Sequence, residues 1–221
     1  MGAPKTGKSA RSSAERKAHV QAMRRAEKAR ERRNRILAIT TSTLVVVSLA
    51  GWGAYALNSA NEKEEQKTAE AKKPVQGTKS WDAKKLGRNH VEQDVDYPMT
   101  PAVGGDHKNA WMNCQGDVYE KPVAAGNAVH SLEHGAVWIT YNDKASSADT
   151  EQLAKQVAKT PYTLMSPVKE QAGTIMLSAW GTQLSVDKAS DPRVEKFLTK
   201  YVQGAQTPEP GAACTNGLSA A

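Results

Sequence analysis

The sequence predicts an α+β domain carried behind a single apolar helix, and three observations predict it. Residues 36–57 (ILAITTSTLVVVSLAGWGAYAL) form a 22-residue run without a charge. Four short β-type runs and two helical stripes lie beyond residue 130. Between helix and strands stands a Pro- and Gly-rich stretch, 94–128, that reads as long loops. At 221 residues the chain has room for one ordinary domain plus accessories.

Charge divides the chain before any motif does. Twelve of the 30 Lys and Arg fall in residues 1–35 beside three acids, a local balance of +9. The other 186 residues hold 18 bases against 20 acids, so the basic isoelectric point belongs to the tail. A basic nucleic-acid-binding domain is therefore not expected. An aromatic content of 5 %, with one Phe, also excludes a large aromatic-rich core.

Residues 1–35 carry almost no large apolar side chains and are expected to be disordered or only partly helical in isolation. Residues 36–57 would make roughly 33 Å of helix, matching a hydrocarbon core of roughly 30 Å. Trp52 and Tyr55 near the far end suit the interface, and the Ser and Thr hydroxyls can bond back to the helix. The basic excess ahead of the span places the N-terminus inside and the rest outside the cytoplasm, a single-pass plasma-membrane topology. The twelve tail cations would then attract anionic lipid. Rival readings are a signal peptide cleaved after Ala56, a twin-arginine signal at Arg32-Arg33, and a buried helix of a soluble protein. Residues 58–80, with nine charges and Pro74 and Gly77 near their end, read as a solvated stalk, helical to Lys73. The extracytoplasmic α+β domain is then 81–221.

Within that domain, Ser147 or Asp149 could cap a helix over 149–158, with Leu153 and Val157 on one face. Asp191-Pro192, the stripe of Val194, Phe197, Leu198, Tyr201 and Val202, and then Gly204 define a second helix. Strands are expected at 136–141, 162–165, 174–180 and 183–186, the last two joined as a hairpin through Gly181-Thr182. Cys114 and Cys214, two cysteines on the oxidising side, are expected to form a disulfide. The alternative is Cys114 as a thiolate ligand in MNC.

Four of five histidines, His90, His107, His130 and His134, fall within 45 residues. In NAVHSLEHGAVWITY, Asn127 could cap a short helix ended by Gly135, placing His130 and His134 at i,i+4 on one face. Two imidazoles at that spacing can share a metal ion. His130-x-x-Glu133-His134 also has the form of an inverted zinc-peptidase motif, which would make Glu133 a general base.

The run PMTPAVGGDHKNAWMNCQGDVY followed by AVHSLEHGAVWITY resembles the domain-of-unknown-function family 3105 of bacterial membrane-anchored proteins, over about residues 86–203. The resemblance implies an extracytoplasmic domain and carries over no catalytic residue. From the residues themselves, His107, His130 and His134, with Met112 or Met99, are the candidate copper or zinc ligands. Imidazole suits either ion and thioether favours Cu(I). Asp106 or Glu133 could hold an imidazole N–H. The competing readings are an envelope interaction module with structural histidines, and an HxxEH metallohydrolase. A non-enzymatic role is favoured.

Overall fold

The computed structural model describes residues 7–219, which fall in two compact units, one up to Lys63 and one from Glu64 onward. Helix α1 runs without interruption from Gly7 to Lys72. The tail is therefore helical from Gly7 onward, where the composition of 1–35 predicts disorder or only partial helicity in isolation. The physical reason is continuity. No Pro occurs between Pro4 and Pro74, the tail is rich in Ala, Arg, Lys and Glu, and an apolar helix already supplies the nucleus. Residues 1–6 lie outside the described part. Within α1, Glu15–Lys63 is long and apolar enough to be a candidate membrane span, with mean hydropathy 1.7 over its most apolar window and none of that window buried. Its hydroxyls return to the helix backbone: Thr41 and Thr43 donate to Leu37 and Ile39 at 2.9 and 2.8 Å, and Ser48 to Leu44 at 2.8 Å.

The second unit is α+β. Among the described residues its strands are β1 (Lys79–Ser80), β2 (Gln115–Val118), β3 (Val137–Tyr141), β4 (Thr163–Pro167), β5 (Ile175–Ala179) and β6 (Thr182–Val186). They form one mixed sheet in the order β1-β6-β5-β3-β4-β2. Strand β4 runs parallel to both β3 and β2, whereas the β3/β5, β5/β6 and β6/β1 pairs are antiparallel. The helices are α2 (Ala125–Glu133), α3 (Ser147–Val157) and α4 (Pro192–Tyr201).

Strand alternation sorts the core into two layers. Val137, Ile139, Ile175, Leu177 and Leu184 pack with Leu153 and Val157 of α3 and Val194, Phe197 and Leu198 of α4. Trp138, Leu164 and Trp180 pack on the other face with Val129 and Leu132 of α2 and with Met112, Cys114 and Cys214. The candidate site grows from this second layer.

Several expectations are corrected in detail. The cap of α3 is Ser146, whose Oγ accepts from the Asp149 amide at 3.1 Å, in place of Ser147 or Asp149. Helix α2 starts earlier than Asn127, on Ala124, which offers only its backbone carbonyl. Asn127 is instead buried in the first turn, its side-chain amide donating to the Ala110 carbonyl. The domain's packing begins before Trp81, since Val75 is buried in the α3/α4 layer and β1 pairs with β6. Strand β2 interrupts the loops. The polar QGDV has no β pattern and is extended by backbone pairing to the edge of β4.

Cys114 and Cys214 are joined as a disulfide, with Cα atoms 4.8 Å apart, so Cys114 is not a thiolate ligand in this structure. The Cys114 amide also donates to the Cys214 carbonyl at 2.9 Å, and Trp111 and Asn113 pair with Leu218. These bonds draw the C-terminal segment across the loops that precede α2.

Gly135 ends α2 at φ +91°, and its amide donates to the Leu132 carbonyl at 3.0 Å. A Cβ there would run into the Gln203 amide and stand 2.8 Å from Thr207 Cγ2. Gly135→Ala is expected to destabilise the domain by at least about 1–2 kcal/mol from backbone strain alone. A fall in the thermal midpoint with unchanged far-ultraviolet dichroism checks this.

Candidate metal centre

Helix α2 is nine residues long and almost wholly buried, because loops cover the face that the sheet does not. Its 3.6-residue period puts His130 and Glu133 on one side, toward the 89–111 loop. That loop is bound to itself. The Val91 amide donates to the His107 carbonyl and the His107 amide to the Asn89 carbonyl, at 2.8 and 3.0 Å, so His90 and His107 form a parallel bridge.

Four side chains meet where loop and helix face each other: His90, His107, His130 and Glu133. One potential ligand atom from each lies within 4.8 Å of those of the others. The imidazoles stack as a group, with centroids 5.0 Å apart for His90/His107, 4.7 Å for His90/His130 and 4.8 Å for His107/His130. Glu133 Oε2 lies 3.0 Å from His107 Nε2 and 4.0 Å from His90 Nε2. His107, His130 and Glu133 are buried, whereas the His90 side chain is 46 % exposed and forms the solvent edge of the cluster.

The hydrogen bonds decide which ring nitrogens are available. His107 Nδ1 stands 2.8 Å from the Gly105 carbonyl and His130 Nδ1 2.8 Å from the Lys108 carbonyl. A carbonyl only accepts, so each Nδ1 carries the hydrogen and donates it. In the neutral ring that leaves Nε2 with its lone pair. An imidazole tied through one nitrogen to a backbone acceptor is the usual way a protein orients a metal-binding histidine. His107 Nε2 is fully buried and has no hydrogen-bond partner. Glu133 Oε2, 3.0 Å away, is the charged group that faces it. A buried, unsatisfied nitrogen beside a carboxylate fits a cation.

Electrostatics agree. Burial pushes His107 down, but the Glu133 carboxylate and the Gly105 carbonyl outweigh it and leave His107 above the ordinary imidazole value. Burial pushes Glu133 up, and the surrounding histidines bring it below the usual carboxylate range. His130 falls to about 4, first through burial and then through the neighbouring imidazoles. Burial also lowers His134.

These shifts set an acid sensitivity. Between pH 6.5 and 4 the unfolded chain takes up a proton at His130 that the folded chain refuses, so stability falls as pH drops. His130 alone contributes on the order of 3 kcal/mol by pH 4. His134 acts in the same sense, and Glu133 adds a loss as pH falls below its unfolded value. The raised His107 opposes them, because its contribution is fully present below its unfolded value and is lost at higher pH. Denaturant midpoints of the metal-free chain should fall from pH 7 to 4.5, and less steeply in His130→Asn.

Of the residues singled out from sequence, His107, His130 and Glu133 come together. His134 stands beside them, its ring 4.6 Å from His130, but outside the four-residue set. It is the C-cap of α2, with Nδ1 2.7 Å from the Ala213 carbonyl. Met112 is buried in the apolar layer, its amide and carbonyl both bonded to Ser131 Oγ, and Met99 is half-buried. Asp106 does not hold an imidazole N–H. Its carboxylate accepts from the Asn89 backbone and side chain at 3.0 Å each, which holds it below the usual range and pins the segment presenting His90. Glu133 faces His107, and His134 is turned through Nδ1 to the C-terminal segment. His90 lies outside the ligand set that the sequence suggests. Its only sequence signal is proximity to His107, with no periodicity to mark it.

Fold and site together define a class: an α+β domain with a cluster of three imidazoles and one carboxylate, buried except at His90, between a short helix and a loop. The family model described as a protein of unknown function (DUF3105) matches residues 90–216, more than half the chain, and the protein belongs to that family. The match takes in all four cluster residues. No curated protein and no solved structure matches the chain.

Proposed function

We propose that this protein is a single-pass membrane-anchored member of its family whose domain lies outside the cytoplasm and binds a divalent transition-metal ion, zinc or copper(II). The observation that carries the reading is the convergence of the His107 and His130 rings, each oriented through Nδ1, on the Glu133 carboxylate, with His90 completing the group. Three nitrogens and one oxygen suit zinc or copper(II). In a tetrahedral site with bonds of 2.0–2.1 Å, ligand atoms lie about 3.3 Å apart. The cluster would therefore tighten by about an ångström, and His90, exposed on its loop, is the side chain freest to move.

The compartment is supported by the charge-free run behind a +9 tail and by the disulfide, which suits an oxidising environment. The tail would meet anionic lipid at the inner surface. No catalytic step is assigned. The role that fits is metal sensing, storage or delivery.

Zinc and copper(II) titration of the tag-free full chain tests this. A tight equivalent that competes with a chromophoric chelator is expected, and its loss in Glu133→Gln and His107→Asn. Asparagine keeps a donor where Nδ1 stood and removes Nε2. Titrations unchanged by both substitutions would defeat the reading.

A further inference from the structure

The C-terminal segment brings a second pair of potential ligands to the far side of the histidine row. It docks on the end of α2 through its backbone: the Glu209 amide donates to the Glu133 carbonyl at 3.0 Å, and the Gln203 amide to the Gly135 carbonyl at 2.9 Å. Tyr162 Oη donates to the Ala212 carbonyl at 2.9 Å, and the Ala213 carbonyl accepts from His134 Nδ1. The Cys114–Cys214 disulfide locks the next residue. The segment thus orients His134 and carries the carboxylate that faces it.

His134 Nδ1 is committed to Ala213, so Nε2 is the atom that points outward. Its side chain is 6 % exposed, and Glu209 Oε2 lies 3.8 Å from Nε2, too far for a hydrogen bond. The ring is therefore nearly buried, and its Nε2 faces a carboxylate. A separation of 3.8 Å is within half an ångström or so of that between two donors on one tetrahedral ion. Glu209 is half exposed, so its carboxylate can close the gap and water can fill the other positions. The ring of His130 lies 4.6 Å from that of His134, and Trp111 covers both, with centroids 5.5 and 5.1 Å away.

We propose that His134 and Glu209 form a second divalent-metal position next to the four-residue cluster, so that the domain holds two ions of the zinc class. This rests on the metal-binding reading of the first cluster and extends it. The second ion, with two protein ligands against four, is held more weakly and exchanges first, which suits a centre that takes up and passes on metal.

The test is equilibrium dialysis of the full chain against zinc followed by metal quantification. The chain is free of affinity tag and carries His19→Ala, so that the tail imidazole does not contribute. Two zinc ions per chain are expected, falling to one in Glu209→Gln and in His134→Asn, which keeps a donor for the Ala213 carbonyl. One ion in the parent chain, or two ions retained in both variants, overturns the second position and leaves the first standing. No bound zinc overturns both.

Discussion

Replacing His130 by asparagine should lower the zinc affinity of the full chain by more than the roughly 10–100-fold that follows loss of an outer hydrogen-bonding partner. His130 is central: its ring touches those of His90, His107 and His134. Asparagine preserves the donor to the Lys108 carbonyl, so the helix stays anchored while the ligand nitrogen disappears. Chelator competition measures the loss, and an unchanged circular dichroism spectrum separates it from unfolding. Affinity should also weaken as pH falls, because metal and proton compete for His107 Nε2, where Glu133 favours either cation.

The second large effect concerns the disulfide. Cys114 and Cys214 are 100 residues apart, and in the chain-entropy model a loop of that length is worth up to about 4.7 kcal/mol. Cys114→Ser with Cys214→Ser also puts two hydroxyls into an apolar layer where both sulfurs are fully buried. A loss of about 3–5 kcal/mol is expected, and hence a fall of roughly 10 °C or more in the thermal midpoint. Calorimetry checks it. A shift of only a degree or two would show that backbone bonds, such as Cys114 to Cys214 and Leu218 to Trp111, hold the segment without help.

Much of the fold is legible because local chemistry and final packing agree. Asp191 caps α4, Pro192 takes its first turn, and Val194, Phe197 and Leu198 supply the buried stripe, so the helix reads directly from the chain. The β5/β6 hairpin is equally plain, with Gly181 at φ +65° between apolar strands. Strands β1 and β2 are not legible. They are two and four residues long, polar and largely exposed, and owe their conformation to the sheet edges they join. The helicity of the tail is hidden for a related reason, since it depends on the apolar helix that follows.

The site divides the same way. His130, Glu133 and His134 share one short helix, and Gly135 marks its end, so their juxtaposition follows from spacing. His107 sits in a loop beside glycines and is recognisable as a candidate by residue type. His90 and Glu209 reach the site only through long-range folding. One depends on the bridge to His107 and the grip of Asp106 on Asn89; the other depends on a C-terminal segment tied down by a disulfide. No periodicity records either arrangement. Met112, in WMNC, packs with the apolar layer on the α2 side of the sheet.

X-ray absorption at the zinc edge, on the full chain loaded with one equivalent, tests the centre most directly. Imidazole backscattering from three rings and one further oxygen, all at about 2.0–2.2 Å, is expected. A sulfur shell near 2.3 Å, or a spectrum without imidazole, would contradict it.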